Sequence, residues 1–152
     1  MAKKSSLQTK AGEVASVCSC VNLRMASRAV TQLYDSLLQP SGLKATQFGL
    51  LVALSATGEA PLTRVAQAMV MDRTTLTRNL RPLVDRGLVR VKPGEDRRSR
   101  MISLTGKGEK SLKTALPLWE KAQKKIIEGL GPERMWDMLD DLKAVVASTR
   151  SE

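Results

Sequence analysis

Arginine and threonine side chains recur at helical spacing between Asp72 and Gly87. Five of them fall within roughly 140° of one another at 3.6 residues per turn. These residues are Arg73, Thr74, Thr77, Arg78 and Arg81, and the opposite side carries Leu76, Leu80 and Leu83. Arginine bonds guanine edges bidentately, and threonine contacts phosphate or the thymine methyl group. A cationic face on a helix held from behind by leucines therefore predicts a helix that enters the major groove of DNA.

A second cluster of charge lies in residues 93–98, whose sequence is PGEDRR. Proline and glycine supply turn chemistry, so this segment predicts the tip of a β-hairpin. Arg97 and Arg98 suit a narrow minor groove, whose negative potential attracts arginine. Asp96 is placed to orient Arg98 through a bidentate pair. Any one of these charges alone is more often a solvated surface residue, but a cationic helix and a cationic hairpin in tandem favour DNA binding.

The elements that position these residues can be traced from residue 62 to residue 105. LTRVAQAM places apolar residues at helical spacing and predicts a first helix. Asp72 is a good N-cap for the second helix, and Gly87 suits its C-terminal end. Pro82 predicts a kink or a weak last turn in that helix. After Gly87 the apolar period becomes alternating, over residues 88–92 and again over 101–104, which predicts two strands. The segment therefore reads as a helix-turn-helix followed by a β-hairpin wing.

Charge is concentrated on the same segment. The chain of 152 residues has a net charge of +10 and a pI near 10.1, so an acidic polymer is the expected partner. Residues 62–105 carry ten Lys/Arg against four Asp/Glu, whereas residues 105–152 carry nine against eight. The lysines of the N-terminal tail are interpreted as a solvated end rather than a DNA-touching arm.

Long amphipathic helices are predicted on both sides of this segment. One helix is expected over about 11–38 and another over about 44–56. Thr105 is a plausible N-cap for a helix to about Gly129, bent at Pro117, and a last helix starts at Gly131-Pro132. These outer helices carry more apolar surface than a 44-residue lobe can cover. We therefore expect a twofold homodimer that reads a pseudo-palindromic site, against the alternative of a monomer whose helices fold back on themselves.

The order of LTRVAQAM, DRTTLTRNLRPLVDRGLV and GEDRRSRMISLT followed by GKG resembles the winged-helix core of MarR-type transcription regulators. The resemblance spans nearly the whole chain. It implies a single, mainly α domain over 1–152 with a small β-hairpin wing. The winged-helix lobe would cover about 44–105, and the dimerisation helices about 11–38 and 105–150. By the same resemblance Asp96 and Arg98 match the wing Asp-x-Arg pair, and Arg73 to Arg78 lie in the recognition helix. It also implies a repressor whose DNA affinity is set by a small-molecule effector or an oxidant, with the effector bound between the outer helices and the lobe.

Cys18 and Cys20 lie two residues apart in the first predicted helix. In an intact helix their side chains diverge by about 200°, which prevents a disulfide between them. Two packed, reduced thiols are therefore the plain interpretation. A sharper hypothesis, that Cys20 is a redox sensor, comes from resemblance. Cys20 precedes Tyr34 by fourteen residues, as the reactive cysteine precedes a similar tyrosine in the peroxide-sensing OhrR branch. Arg24 and Phe48 depart from that branch, which has thiolate-bonding tyrosines at those positions.

Enzymatic chemistry is not favoured by this composition. The chain has no histidine, which excludes Ser-His triads and His-bearing zinc sites, and Gly106-Lys107-Gly108 is too short for a phosphate loop. We expect no cofactor and no metal. No apolar run reaches the ~18 residues of a membrane helix, so a soluble, cytoplasmic protein is expected. The sequence thus favours a sequence-specific DNA-binding regulator, and the alternative is an architectural protein that binds DNA without regard to sequence.

Overall fold

Seven α-helices and three short strands appear in the computed structural model, which describes residues 6–96 and 99–150. The helices are α1 (Ser6–Val17), α2 (Ser19–Leu38), α3 (Ala45–Thr57), α4 (Leu62–Ala68), α5 (Arg73–Asp85), α6 (Gly106–Leu130) and α7 (Pro132–Ser148). The strands are β1 (Ala60–Pro61), β2 (Val89–Pro93) and β3 (Arg100–Leu104), and a 3-10 turn covers Gln39–Ser41. The predicted mainly α fold with a winged helix-turn-helix is confirmed.

The core lies where α3, α4 and α5 pack against the small sheet. Its fully buried large side chains come from α3, α4, α5 and β3 and from the end of α2. They are Leu38, Leu50, Leu51, Leu54, Val65, Leu76, Leu83 and Ile102. Burying an aliphatic side chain of this size contributes about 1.5–3 kcal/mol. The outer helix α6 joins the same core through Leu112 and Ala115, so the lobe and the outer helices share packing.

The wing is a three-stranded antiparallel sheet rather than a hairpin alone. Its strand order is β1-β3-β2, and Ile102 of β3 lies between Val91 of β2 and Ala60 of β1. The two long strands match the alternating runs in the sequence. The two-residue strand β1 was not predicted, because a pair of residues beside Gly58 gives no alternating pattern.

The ends of α5 have the predicted residues. The Asp72 carboxylate accepts a hydrogen bond from the Thr75 amide at 2.8 Å, which satisfies one of the free donors of the first turn. At the other end Gly87 takes a left-handed φ of 69°, and the Leu88 amide donates to the Leu83 carbonyl at 2.8 Å. The helix continues past Pro82 to Asp85. Both predicted boundaries of α5 are therefore confirmed.

The expectation of one long helix over about 11–38 is wrong. The segment forms two helices, and the break falls at Cys18, whose φ of −70° and ψ of 109° are extended rather than helical. The Asn22 side-chain amide spans the break, donating to the carbonyls of Ala15 at 3.2 Å and Cys18 at 2.9 Å. Neither proline nor glycine lies at this point, so the sequence pattern does not reveal the break.

Within one chain, many apolar side chains of the outer helices α1, α2 and α7 remain exposed to solvent. Helix α1 has no buried residue, and Leu38 is the single buried residue of α2. Large side chains that remain exposed on α2 and α7 include Val21, Met25, Val30, Trp136, Leu142, Val145 and Val146. Among the described residues, no helix combines the length and the apolarity that crossing a membrane requires.

Gly108 allows the close approach of α6 to the wing. A Cβ added to Gly108 would lie 2.1 Å from the Leu88 carbonyl oxygen, whereas one added to Gly106 meets nothing within 4 Å. Gly108→Ala should therefore lower the free energy of unfolding by about 1–3 kcal/mol, because the backbone must shift. Gly106→Ala is the matched control and should leave stability equal or slightly higher. Chemical denaturation measures both variants, and equal stabilities would contradict the close contact.

Candidate nucleic-acid interface

Helix α5 has one buried side and one polar, exposed side. Leu76, Leu80 and Leu83 are buried. Arg73, Thr74, Thr77, Arg78 and Arg81 are all exposed. The leucine side and the polar side that helical spacing predicted for α5 are therefore confirmed.

The exposed side of α5 and the wing strands line one open groove. The groove has a volume of about 750 Å³. From α5 it is lined by Arg73, Thr74, Thr77, Arg78 and Arg81, and from the strands by Val91 and Arg100. Helix α5 and the body of the wing thus face the same side of the lobe. Four guanidinium groups around one groove give it a positive potential, which attracts a polyanion.

The structure places four predicted site residues together and leaves two outside its description. Arg73, Thr74, Thr77 and Arg78 share the groove. Arg97 and Arg98 lie outside the described residues, so their predicted role at the wing tip remains a prediction. Asp96 stands at the tip, where its carbonyl accepts from the Ser99 amide at 2.8 Å. The Gly94 amide donates to the Ser99 carbonyl at 3.0 Å, and these two bonds close the turn.

Arg100 is a groove residue that the sequence analysis did not single out. It pairs with Pro93 at the open end of β3. The signal available in the sequence was its position one residue before the apolar run Met101-Ile102, which places it at the strand end nearest the charged tip. Arg81 belongs to the predicted polar face, and its Nε lies 4.0 Å from an Asp85 carboxylate oxygen on the surface.

The threonines of α5 differ in their hydrogen bonding. The Thr77 hydroxyl donates to the Arg73 carbonyl at 2.7 Å, so its methyl group and its lone pairs remain for a ligand. The Thr75 hydroxyl donates to the Asp72 carboxylate at 2.6 Å. This side-chain bond, followed by the bond from the Thr75 amide, lowers the pKa of Asp72 below its ordinary value. Asp72 therefore stays ionised beside the helix N-terminus and fixes the first turn of α5.

A second, more apolar groove lies among α2, α6 and α7 and has a volume of about 960 Å³. Its walls include Leu23, Val30, Trp119, Ile126, Met138 and Leu142. Within the lining the Tyr34 hydroxyl donates to the Gln123 side-chain carbonyl, and burial raises the pKa of Tyr34. The groove thus combines a long apolar wall with the Tyr34–Gln123 pair and a few small polar residues, which are Ser19, Asn22 and Ser27.

The cysteines do not form the arrangement of the peroxide-sensing branch within one chain. Cys20 is exposed, and Tyr34 lies fourteen residues further along α2, which is about 21 Å at 1.5 Å per residue. Phe48 is buried in the core and stacks on Trp119 with ring centroids 6.3 Å apart. Within the described residues, no group of three or more His, Cys, Asp or Glu side chains is placed to hold a metal ion.

Comparison with known proteins gives consistent matches. The MarR family profile matches residues 41–99. The DNA-bound structure of the transcriptional regulator MosR of M. tuberculosis is 37% identical, with a TM-score of 0.77 over 88% of this chain and 98% of MosR. BpsR of Bordetella bronchiseptica, whose DNA binding is regulated by 6-hydroxynicotinic acid, is 25% identical, with a TM-score of 0.76 over 87% of this chain and 96% of BpsR.

Among curated proteins, the HTH-type transcriptional regulator YwoH of Bacillus subtilis is 26% identical over 88 residues. The match covers 58% of this chain and 64% of YwoH, so it spans slightly less than two thirds of that relative's length.

The Asp72 cap should contribute stability that depends on pH. Because the pKa of Asp72 is lower in the folded state than in the unfolded state, its contribution is fully present above the unfolded pKa and is lost as pH falls through the folded pKa. Asp72→Asn keeps an acceptor for the Thr75 amide but does not titrate. We expect the stability difference between wild type and Asp72→Asn to shrink between neutral pH and about pH 3. Denaturation curves across this range measure it, and a constant difference would contradict the ionised cap.

Proposed function

The chain belongs to the MarR family of transcription regulators, and we propose that it binds double-stranded DNA in a sequence-specific manner through the groove between α5 and the wing. Arg73, Thr74, Thr77 and Arg78 enter the major groove, and the wing tip with Arg97 and Arg98 reaches the adjacent minor groove. Asp96 orients Arg98 in this arrangement.

One observation carries this proposal. Guanidinium groups from α5 and from β3 line the same open groove, while the opposite side of α5 is fixed in the core by leucines. A duplex lying along the groove meets the polar face of the helix and the body of the wing at once. The MosR structure in complex with DNA supports this interpretation.

We propose further that two copies pair through the outer helices. The apolar groove among α2, α6 and α7 is lined in part by exposed apolar residues such as Val145, and a second copy would remove this surface from water. Twofold pairing sets two α5 helices side by side, which suits a pseudo-palindromic operator. The expected homodimer is therefore part of the proposed DNA-binding unit.

We also propose that the bound dimer represses transcription and that a small-molecule effector or an oxidant releases it. A signal at the outer helices that changes the separation of the two α5 helices lowers affinity for a site of fixed half-site spacing. The regulation of BpsR by 6-hydroxynicotinic acid supports the small-molecule route. The oxidant route concerns Cys20, which is exposed on α2.

Base reading by Arg78 can be tested on a duplex that the protein itself selects from a random pool. Arg78→Ala should cost about 1–3 kcal/mol of binding free energy on the selected duplex and much less on a scrambled duplex, because the lost bonds go to base edges. Competition binding at fixed salt measures both. Lys124→Ala on α6 is the control, since it removes the same charge outside the groove and should change neither affinity.

Two outcomes would contradict this assignment. An equal loss on selected and scrambled duplexes would show that Arg78 contacts phosphate rather than bases. A wild-type protein that binds both duplexes equally, with affinity set by salt alone, would instead be an architectural DNA-binding protein.

The dimer can be tested with two leucines of similar exposure. Leu142 on α7 is 38% exposed and lines the apolar groove, whereas Leu116 on α6 is 40% exposed and lies outside it. Leu142→Glu should give a monomer at micromolar concentration, because a buried unpaired carboxylate is costly. Leu116→Glu should remain dimeric. Light scattering after size-exclusion chromatography measures both masses, and a dimeric Leu142→Glu protein would contradict the proposed interface.

A further inference from the structure

We propose that the outward side of α7 in one copy binds the outward side of α6 in a copy that lies outside its own dimer, so that neighbouring dimers associate. The contact joins carboxylates and a tryptophan on α7 to lysines on α6. It goes beyond the proposed DNA-binding function, and the contact itself does not depend on DNA.

Helix α6 carries all of its lysines on one side. They fall within roughly 120° of one another at 3.6 residues per turn, and all are exposed. This lysine face lies roughly opposite Leu112, Ala115 and Ala122, which are buried. Its members are Lys107, Lys110, Lys113, Lys121, Lys124 and Lys125. The face is therefore a solvent-exposed cationic surface that runs along most of α6.

Most of these ammonium groups have no carboxylate partner in their own chain. Lys124 lies 3.7 Å from a Glu128 carboxylate oxygen, and Lys107 donates to the Arg86 carbonyl at 2.8 Å. Within the part of the chain that the structure describes, the other four lysines of the face form no ion pair. They are therefore available to carboxylates of another molecule.

Helix α7 has an outward side of the opposite charge. Glu133, Asp137 and Asp140 lie with Trp136 within roughly 100° on the helix, opposite the α7 residues that line the apolar groove. All four are exposed, and Trp136 is 64% exposed. Asp140 pairs with Lys143 at 2.7 Å, so Glu133 and Asp137 carry the net charge of this acidic face.

Trp136 makes the acidic face more than a charged surface. An indole ring attracts an ammonium group over its face, and tryptophan is enriched at the centres of protein interfaces. Here the ring is exposed next to carboxylates of Glu133 and Asp140 on the same side of α7. A lysine-bearing helix would meet both kinds of attraction at once.

Charge complementarity identifies the partner as another copy of this chain. At 1.5 Å per residue the acidic face spans about 10 Å of helix and the lysine face about 27 Å, so one acidic face fits along one lysine face. The two faces cannot meet within one chain, because each points away from the apolar groove that α6 and α7 share. Pairing through that groove also leaves both faces exposed.

The contact is heterologous, since it joins two different faces, and it therefore does not close on a pair of copies. Exposed ion pairs contribute little singly, so the association should be weak in solution. Two dimers on neighbouring sites of one duplex are held at a high effective concentration, which strengthens a weak contact. The contact should thus affect tandem sites and leave binding to a single site unchanged.

Sedimentation equilibrium of the DNA-free protein tests the contact directly. From micromolar to near-millimolar concentration, the wild-type mass should rise at ~0.1 M salt and not at ~1 M salt, because the Debye length falls from about 10 Å to about 3 Å. The α6 variant is Lys121→Glu with Lys125→Glu. The α7 variant is Glu133→Lys with Asp137→Lys. Each variant should keep at low salt the mass that it has at high salt.

Exchanging the charges should restore the contact. A chain with all four substitutions has the wild-type net charge and should associate again, and so should an equimolar mixture of the α6 and α7 variants. Arg64→Glu with Arg90→Glu is the matched control, since it makes the same change in net charge at exposed positions of the lobe, and it should associate like the wild type.

Three outcomes would overturn the proposal. They are a wild-type mass that stays constant with concentration, association that persists in the α6 or α7 variant, and a fourfold variant that does not regain association. Loss of binding to a scrambled duplex in the α6 variant, with no self-association of the wild type, would show instead that DNA occupies the lysine face.

A duplex with two copies of the selected site gives the second readout. Over spacings that cover one helical turn, the wild type should fill the second site at least about fivefold more tightly than the first at one spacing or more. The α6 and α7 variants should fill both sites independently. Self-association without this cooperativity would overturn the role on DNA. If the wild type selects no duplex, the proposed function fails, whereas sedimentation still decides whether the two faces bind.

Discussion

Leu76, Leu80 and Leu83 bury one side of α5 against α3, α4 and β2, and this apolar contact fixes the rotation of the helix about its axis. A turn of 100° would bring a charged side chain into the core, where an unpaired charge is far more costly than a lost leucine contact. The orientation of the guanidinium groups is therefore decided by the buried leucines on the other side of the helix. Burial of the leucine side is therefore enough to set the direction in which the polar side of α5 points.

Hydrogen bonds around Thr105 join the wing to the end of α5 and to the start of α6. Its hydroxyl donates to the Gly87 carbonyl at 2.7 Å and accepts from the Gly108 amide at 3.0 Å. The Lys107 ammonium donates to the Arg86 carbonyl at 2.8 Å. The end of α5, the root of the wing and the start of α6 thus meet in a short hydrogen-bonded junction, with no room for a side chain at Gly108. A rigid junction of this kind keeps the helix and the wing at a fixed separation, which the proposed contact with two adjacent DNA grooves requires.

Sequence patterns predicted the features that follow from local chemistry. The cap at Asp72, the glycine after α5 and the leucine side of that helix each depend on residue type and spacing, and all are confirmed. What depends on tertiary contacts was missed: the strand β1 exists because β3 offers it an edge, and Val70 takes a left-handed φ of 54° in the turn before α5, which a β-branched residue adopts only when its surroundings impose it. The break at Cys18 was missed for a different reason: Asn22 bonds the carbonyls of Ala15 and Cys18 across it, and a single asparagine within a helical pattern does not indicate a break. Arg100 became a groove residue only once the strand register was known.

The outer helices reach the DNA-binding lobe through contacts that transmit position. The Asp35 carboxylate of α2 accepts from the Ala45 amide at 2.7 Å and so caps α3, which packs directly on α5. The Arg86 guanidinium at the end of α5 donates to the Gly42 carbonyl at 2.9 Å, in the connection between α2 and α3. A displacement of α2 is thus passed to the start of α3 and to the end of α5. Because packed interiors shift as bodies rather than deform, a displacement of α2 is expected to move α5 as a whole, and in a twofold pair the two displacements add in the spacing between the two α5 helices.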